Sequence, residues 1–128
     1  MNHRQFLVPM IGIAFIVLLM QAFTYTDTGE SLPLAKYFYD KFQHFGAGIS
    51  CGILGCYIAF ASGSTTGTRF VLFAFLMSLV IGVAWEVIEH VWPSINGGTH
   101  SYTSIDTITD VILDCLGGIY AGLWYCKK

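Results

Sequence analysis

The feature that most constrains this chain is a succession of apolar stretches, each long enough to matter to a bilayer. The first runs from Phe6 to Phe23, the second from Phe45 to Ser62, and the third from Phe70 to Trp85 with a helical continuation to Trp92. The fourth starts at Ser104 and ends at Cys126. A helix rises 1.5 Å per residue, so about 20 residues cross a hydrocarbon core of about 30 Å. Charge supports the same reading. Only 11% of the 128 residues are charged and mean hydropathy is +0.63, against roughly 25% charged in an average soluble domain. The expectation is an all-α polytopic membrane protein, a four-helix transmembrane bundle in one domain over residues 1–128, with helices near 6–23, 38–62, 69–92 and 104–126.

The punctuation between the stretches fits. Pro9 lies in the first turns of the first helix, where proline is tolerated. A secretory signal peptide is the competing reading of that segment, but Ala22 is not part of a clear A-x-A site, so a retained helix is expected. Ser62-Gly63-Ser64-Thr65-Thr66-Gly67 reads as a short polar turn. Pro93 ends the third helix, and Asn96-Gly97-Gly98 lies in a loop. Ser104 is a plausible cap for the fourth helix, with Asp106 in its first turn. Trp85 and Trp92 are placed at the interface. Gly48 with Gly52, and Gly118 with Gly122, form GxxxG pairs that let helices approach closely. Cys51, Cys56, Cys115 and Cys126 form no CxxC pair and lie in apolar segments, where cysteine acts as a small hydrophobe.

Basic residues set the expected orientation. Arg4, Arg69, Lys127 and Lys128 fall on one side of a four-helix topology, and Lys36 and Lys41 on the other. The positive-inside rule then puts both termini in the cytoplasm of a bacterial-type inner membrane. The net charge of −2 and pI near 6.0 exclude a nucleic-acid binder of the usual basic kind.

Three polar clusters interrupt the apolar segments. Asp40 and His44 are four residues apart, on one helical face. Glu86, Glu89 and His90 stand at i, i+3 and i+4, and Asp106, Asp110 and Asp114 at i, i+4 and i+8. The topology puts all three clusters on the non-cytoplasmic side, with His100 in a loop there, although no acidic residue entered the topology argument. Glu86 lies about 9 Å along the axis from Trp92, and Asp114 about 12 Å from Asp106. A charge at such depth is unfavourable by at least about 2.5–3.5 kcal/mol. Compensation is therefore required, from a metal ion, shared protons, Lys41, the histidines or water.

Carboxylates and imidazole from several helices can surround a divalent ion inside a bundle. The set Asp40, Glu86, His90, Asp106, Asp110 and Asp114 is the candidate metal shell, with Mg, Mn, Fe or Zn as the ion. His44 and Glu89 are the candidate general bases. The di-iron Glu-x-x-His motif is absent, because Glu89 occupies the i+3 position from Glu86. Blander roles stand beside these: Asp40 and Asp106 suit helix N-termini, His90 suits the interface, and Glu86, Asp110 and Asp114 suit a static hydrogen-bond network.

The segments Tyr39-Asp40-Lys41-Phe42-Gln43-His44-Phe45, Trp85-Glu86-Val87-Ile88-Glu89 and Asp106-Thr107-Ile108-Thr109-Asp110-Val111-Ile112-Leu113-Asp114-Cys115-Leu116-Gly117 resemble the signature of VanZ-like membrane proteins. They are closer still to YjdF-type inner-membrane proteins. The resemblance spans the second to fourth helices and departs from the VanZ pattern at Glu89 and Asp114. It implies an envelope protein and supplies no substrate.

These observations favour an envelope protein with a polar, candidate metal-binding site, acting on or binding a lipid-linked or phosphate-containing envelope molecule and able to form a homo-oligomer. A structural or accessory protein with a static polar network ranks second. A proton- or cation-coupled carrier ranks third, because nothing ionisable continues through the cytoplasmic half.

Overall fold

The computed structural model describes residues 2–26, 33–63, 66–92 and 104–127, with the side chains of 21–26 and 33–36 outside that description. The expected loop from Ser94 to Ser104, His100 included, lies outside the described residues up to Ser104. Among the described residues there are four helices: α1 (Arg4–Thr26), α2 (Pro33–Ala61), α3 (Gly67–Val91) and α4 (Ser104–Cys126). Three are long and apolar enough to cross a membrane: Tyr37–Ala61, Gly67–Val91 and Ser104–Cys126. The apolar part of α1 with described side chains, Arg4–Met20, is shorter.

Helix ends follow local chemistry. α2 begins at Pro33, where a missing N–H removes nothing the first turn would have used. α3 follows Thr66, whose backbone is extended, and closes with the Trp92 N–H on the Ile88 carbonyl at 2.8 Å, just before Pro93. Inside α1, Pro9 has no N–H to offer the carbonyl of Gln5. The Tyr125 hydroxyl donates to that same carbonyl, so α4 satisfies the acceptor that proline frees in α1.

Contacts between backbones fix the helix directions. Gly48 of α2 lies against the backbone of Asp114, and Gly52 against Gly118, so α2 and α4 run parallel. Gly118 lies against Ser78 and Ala74, and Gly122 against Val71, so α3 runs antiparallel to α4. Ser78 Oγ donates to the Gly48 carbonyl at 2.8 Å and ties α3 to α2. A Cβ at Gly48, Gly52, Gly118 or Gly122 would meet a neighbouring helix at sub-van-der-Waals distance. Small residues thus bring α2, α3 and α4 together, as packing in lipid demands where no hydrophobic force draws helices together.

α1 packs chiefly on α2. Phe6 is fully buried there, stacked on Tyr125 at a centroid distance of 4.6 Å and tilted against Phe60 at 5.2 Å. Ser50 Oγ donates to the Met10 carbonyl at 2.9 Å. The apolar core of Phe6, Ile53, Cys56, Ala59, Phe70, Ala74, Ala121 and Tyr125 fills the end of the bundle nearer both termini. All four cysteines are free thiols. Polar residues gather toward the opposite end.

Candidate functional site: a buried carboxylate–histidine–lysine cluster

Six of the chain's eight acidic residues meet in one region. The cluster has two halves. In the first, Lys41 is the hub. Its Nζ lies 2.6 Å from Asp106 Oδ1, 2.6 Å from Asp110 Oδ1 and 3.0 Å from Asp40 Oδ2. An ammonium has three hydrogens, and three carboxylates take them. The Tyr37 ring lies 4.9 Å below the same nitrogen. Lys41 is buried at 9% exposure, so this half is compensated by its own protein charge. The position of Asp106 in the first turn of α4 adds the favourable interaction with the helix dipole.

His44 organises the second half. Its Nδ1 lies 3.2 Å from Asp114 Oδ2. Its Nε2 faces three carboxylate oxygens at nearly equal distances: Glu86 Oε1 at 3.8 Å, Asp40 Oδ1 at 3.9 Å and Asp110 Oδ2 at 3.9 Å. These distances are too long for direct hydrogen bonds. Glu86 Oε1 is buried without a hydrogen-bond partner among the described residues. Trp85 Nε1 donates to Glu89 Oε1. Gly82 makes room for Asp114: a Cβ there would stand 2.6 Å from Asp114 Oδ2.

Two sets of side chains offer ligand atoms within 4.8 Å of one another: Asp40, His44 and Asp110, and His44, Glu86 and Glu89. The candidate residues thus fall into three groups. Glu86, Asp40 and Asp110 face Nε2 of His44, and Glu89 offers an oxygen within 4.8 Å of the ligand atoms of His44 and Glu86. Asp114 stands behind the imidazole and Asp106 behind Lys41. His90 joins neither set; it is exposed on α3.

The reason for the position of His90 is geometric. The buried stripe of α3 runs Phe70, Ala74, Ser78, Gly82, Glu86 and then Glu89. Each four-residue step overshoots a full turn by about 40°. After four such steps the stripe has drifted far around the helix, and the three-residue step to Glu89 turns it back. His90 continues the drift and leaves the cluster.

A cavity of about 210 Å³ adjoins the second half. Asp40, Gln43 and His44 of α2 contribute to its lining, with Glu89 and Trp85 of α3, Asp114 of α4, and Val17 and Leu18 of α1. Gln43 is 8% exposed, and its Nε2 has no hydrogen-bond partner among the described residues. Neither Lys41 as a hub nor Gln43 as a cavity residue stands among the sequence candidates. Both lie in the Asp40–His44 segment; Lys41 was expected only as one source of compensating charge, and Gln43 had no signal beyond its place between two polar anchors.

Comparison with known proteins adds a family. The family model described as "Predicted membrane protein (DUF2238)" matches residues 4–127. The chain belongs to that family. No curated protein and no solved structure matches. The match spans all four helices of this DUF2238 chain and covers every residue of the cluster. It does not carry the VanZ-like or YjdF-type naming.

Chemically, the arrangement joins a saturated ion-pair hub to an imidazole with one nitrogen anchored and the other facing unsatisfied carboxylate oxygen. Such a set suits a cation, whether a proton or a metal.

Proposed function

We propose that this membrane protein holds a divalent cation between His44, Glu86 and Glu89, at the head of a cavity that receives a lipid-linked or phosphate-containing envelope molecule. The orphaned, buried Glu86 Oε1 carries the reading. A buried carboxylate oxygen with no partner is unfavourable by several kcal/mol unless a proton, a hydrogen-bond donor or a metal ion meets it. One pair of the donor set is close to the spacing an ion needs. A tetrahedral ion with bonds of about 2.0–2.1 Å holds its ligands about 3.4 Å apart. His44 Nε2 and Glu86 Oε1 stand 3.8 Å apart, so a contraction of a few tenths of an ångström would serve. Asp40 and Asp110 are already bonded to Lys41, which favours the Glu86–Glu89 side over theirs.

Asp114 then orients the imidazole through Nδ1, the arrangement that fixes the tautomer of metal-binding histidines. Three protein ligands leave a coordination position open, and a divalent ion bound there would supply a Lewis acid and an acidified water. In this reading the four helices all span the membrane and both termini lie in the cytoplasm. The kinship to VanZ-like and YjdF-type proteins rests on the three motifs quoted above.

The test is metal content by mass spectrometry on protein purified without chelator. Stoichiometric metal in the wild type, lost in Glu86→Gln, is the expected result. A metal-free wild type overturns the proposal.

The saturated Lys41 hub supports a second reading, a static polar network in an accessory membrane protein. It predicts that Glu86→Gln and Asp110→Asn preserve both folding and cellular function, as charge-neutral members of a network would.

A further inference from the structure

The cavity itself limits what it can take. Its volume of about 210 Å³ lies below the roughly 300–1,000 Å³ of pockets that enclose a whole drug-sized ligand. It has room for one polar head and no more. Its walls, Val17 and Leu18 on one side and Ile81 and Trp85 on the other, belong to α1 and α3. Among the described residues α1 packs chiefly on α2, and α3 on α2 and α4. Leu18, Ile81 and Trp85 are exposed at the rim; Leu18 and Ile81 lie inside apolar segments of the sequence, and Trp85 at the interface end of its own. A ligand with its head in the cavity would rest its apolar part between these helices, in lipid.

The chemistry of the floor selects the head. Asp40, Glu89 and Asp114 offer acceptor oxygens, and none of the described lining residues is Lys or Arg. Lys41 is bonded to three carboxylates. The one imidazole in the described lining, His44, is held by Asp114 at Nδ1 and faced by carboxylates at Nε2, so an anionic head would meet more carboxylates than cations among the described residues. Six carboxylates outnumber Lys41 and His44 together even with a divalent ion added. An ammonium head would satisfy the acids but not Gln43, whose Nε2 is a donor in want of an acceptor. A hydroxyl is an uncharged group that does both, donating to a carboxylate and accepting from an amide.

We infer that the cavity binds the uncharged, hydroxyl-bearing head of a membrane amphiphile, such as a sugar or polyol head, entering from the lipid between α1 and α3, with Gln43 Nε2 donating to a head oxygen. The inference rests on reading the cluster as a ligand site; it keeps the lipid-linked alternative for that ligand and sets aside a phosphate-bearing head. It does not require the metal.

The test uses the full chain in phosphatidylcholine vesicles. Trp92→Phe and Trp124→Phe leave Trp85, one of three tryptophans, as the sole emitter at the cavity. Octyl glucoside below its micellar concentration should shift Trp85 emission saturably, while free glucose at the same concentration should not. Gln43→Leu should weaken the response at least tenfold without lowering the melting temperature, since it removes an unpartnered buried donor. Ala47→Leu, which fills the cavity from α2, should weaken it equally and serves if Gln43→Leu fails to fold. A stronger response to octylamine or octyl phosphate overturns the inference, as does an equal response to glucose. An undiminished response in both variants also overturns it. Metal content measured on the same samples separates the two proposals. Metal without a glucoside response sinks this one alone, and a glucoside response without metal sinks the metal reading alone.

Discussion

His44 Nδ1 lies 3.2 Å from Asp114 Oδ2, a link between two parallel helices that leaves the other imidazole nitrogen facing the carboxylates of α2, α3 and α4. The carboxylate holds the ring from behind, and Gly82 gives it the room to do so.

If Asp114 orients a metal-binding His44, Asp114→Asn should weaken metal affinity by about 10–100-fold without abolishing it, the usual effect of losing an outer partner of a ligand. Titration with a competing chelator measures this. Complete loss, equal to that of Glu86→Gln, would instead make Asp114 a direct ligand.

Gly82→Ala puts a methyl group 2.6 Å from Asp114 Oδ2. The carboxylate must move, so this variant should lower metal affinity in the same direction as Asp114→Asn while keeping every ionisable group. Overpacking at such a contact also destabilises by about 1–3 kcal/mol. Thermal unfolding in detergent reads that part.

Lys41→Met leaves Asp40, Asp106 and Asp110 without the ammonium they share. Breaking a buried ion pair from one side destabilises by about 3–5 kcal/mol, and the expected outcome is a large drop in melting temperature or in folded yield. A Lys41→Met/Asp110→Leu double variant should recover part of it, because it removes a carboxylate along with its partner. No recovery would mean that Asp110 does not couple to Lys41.

Tyr125→Phe removes the donor to the Gln5 carbonyl and should destabilise by about 1–3 kcal/mol. Pro9→Ala restores an N–H at the position that normally bonds that carbonyl. In the Pro9→Ala background the Tyr125→Phe penalty should therefore shrink, and thermal melts of the four proteins in this cycle give the coupling.

His90→Ala should leave metal content and ligand response unchanged, because the side chain is exposed and outside both ligand groups. A loss of metal in this variant would place His90 in the site.

The sequence carried much of this arrangement and hid a definite part of it. Apolar length announced the helices, since little else can satisfy a backbone in lipid. Spacing at three and four residues put Asp40 with His44 and Glu86 with Glu89, because a helix sets such neighbours without help from the fold. The same rule misplaced His90, since it does not follow the drift of a buried stripe along α3. Lys41 read as a neighbour of Asp40, but its shorter bonds go to Asp106 and Asp110 on α4. A pairing across helices depends on the angle at which each helix faces its neighbour, and that angle is set by where Gly48, Gly52 and Gly118 permit close approach. Gln43 stayed silent for the same reason: a glutamine on a helix face declares its cavity only when α1, α3 and α4 are in place.

The Lys41 hub also bears on how the chain is made. Asp106 and Asp110 follow Lys41 by 65 and 69 residues, and at about 5–20 residues per second the ribosome needs roughly 3–14 s to supply them. Through that interval Asp40 is the one of the three carboxylate partners of Lys41 already made. The arrival of α4 supplies the other two and completes the bonds the ammonium can donate. Order of synthesis, as well as final geometry, makes the last helix the one that locks the bundle.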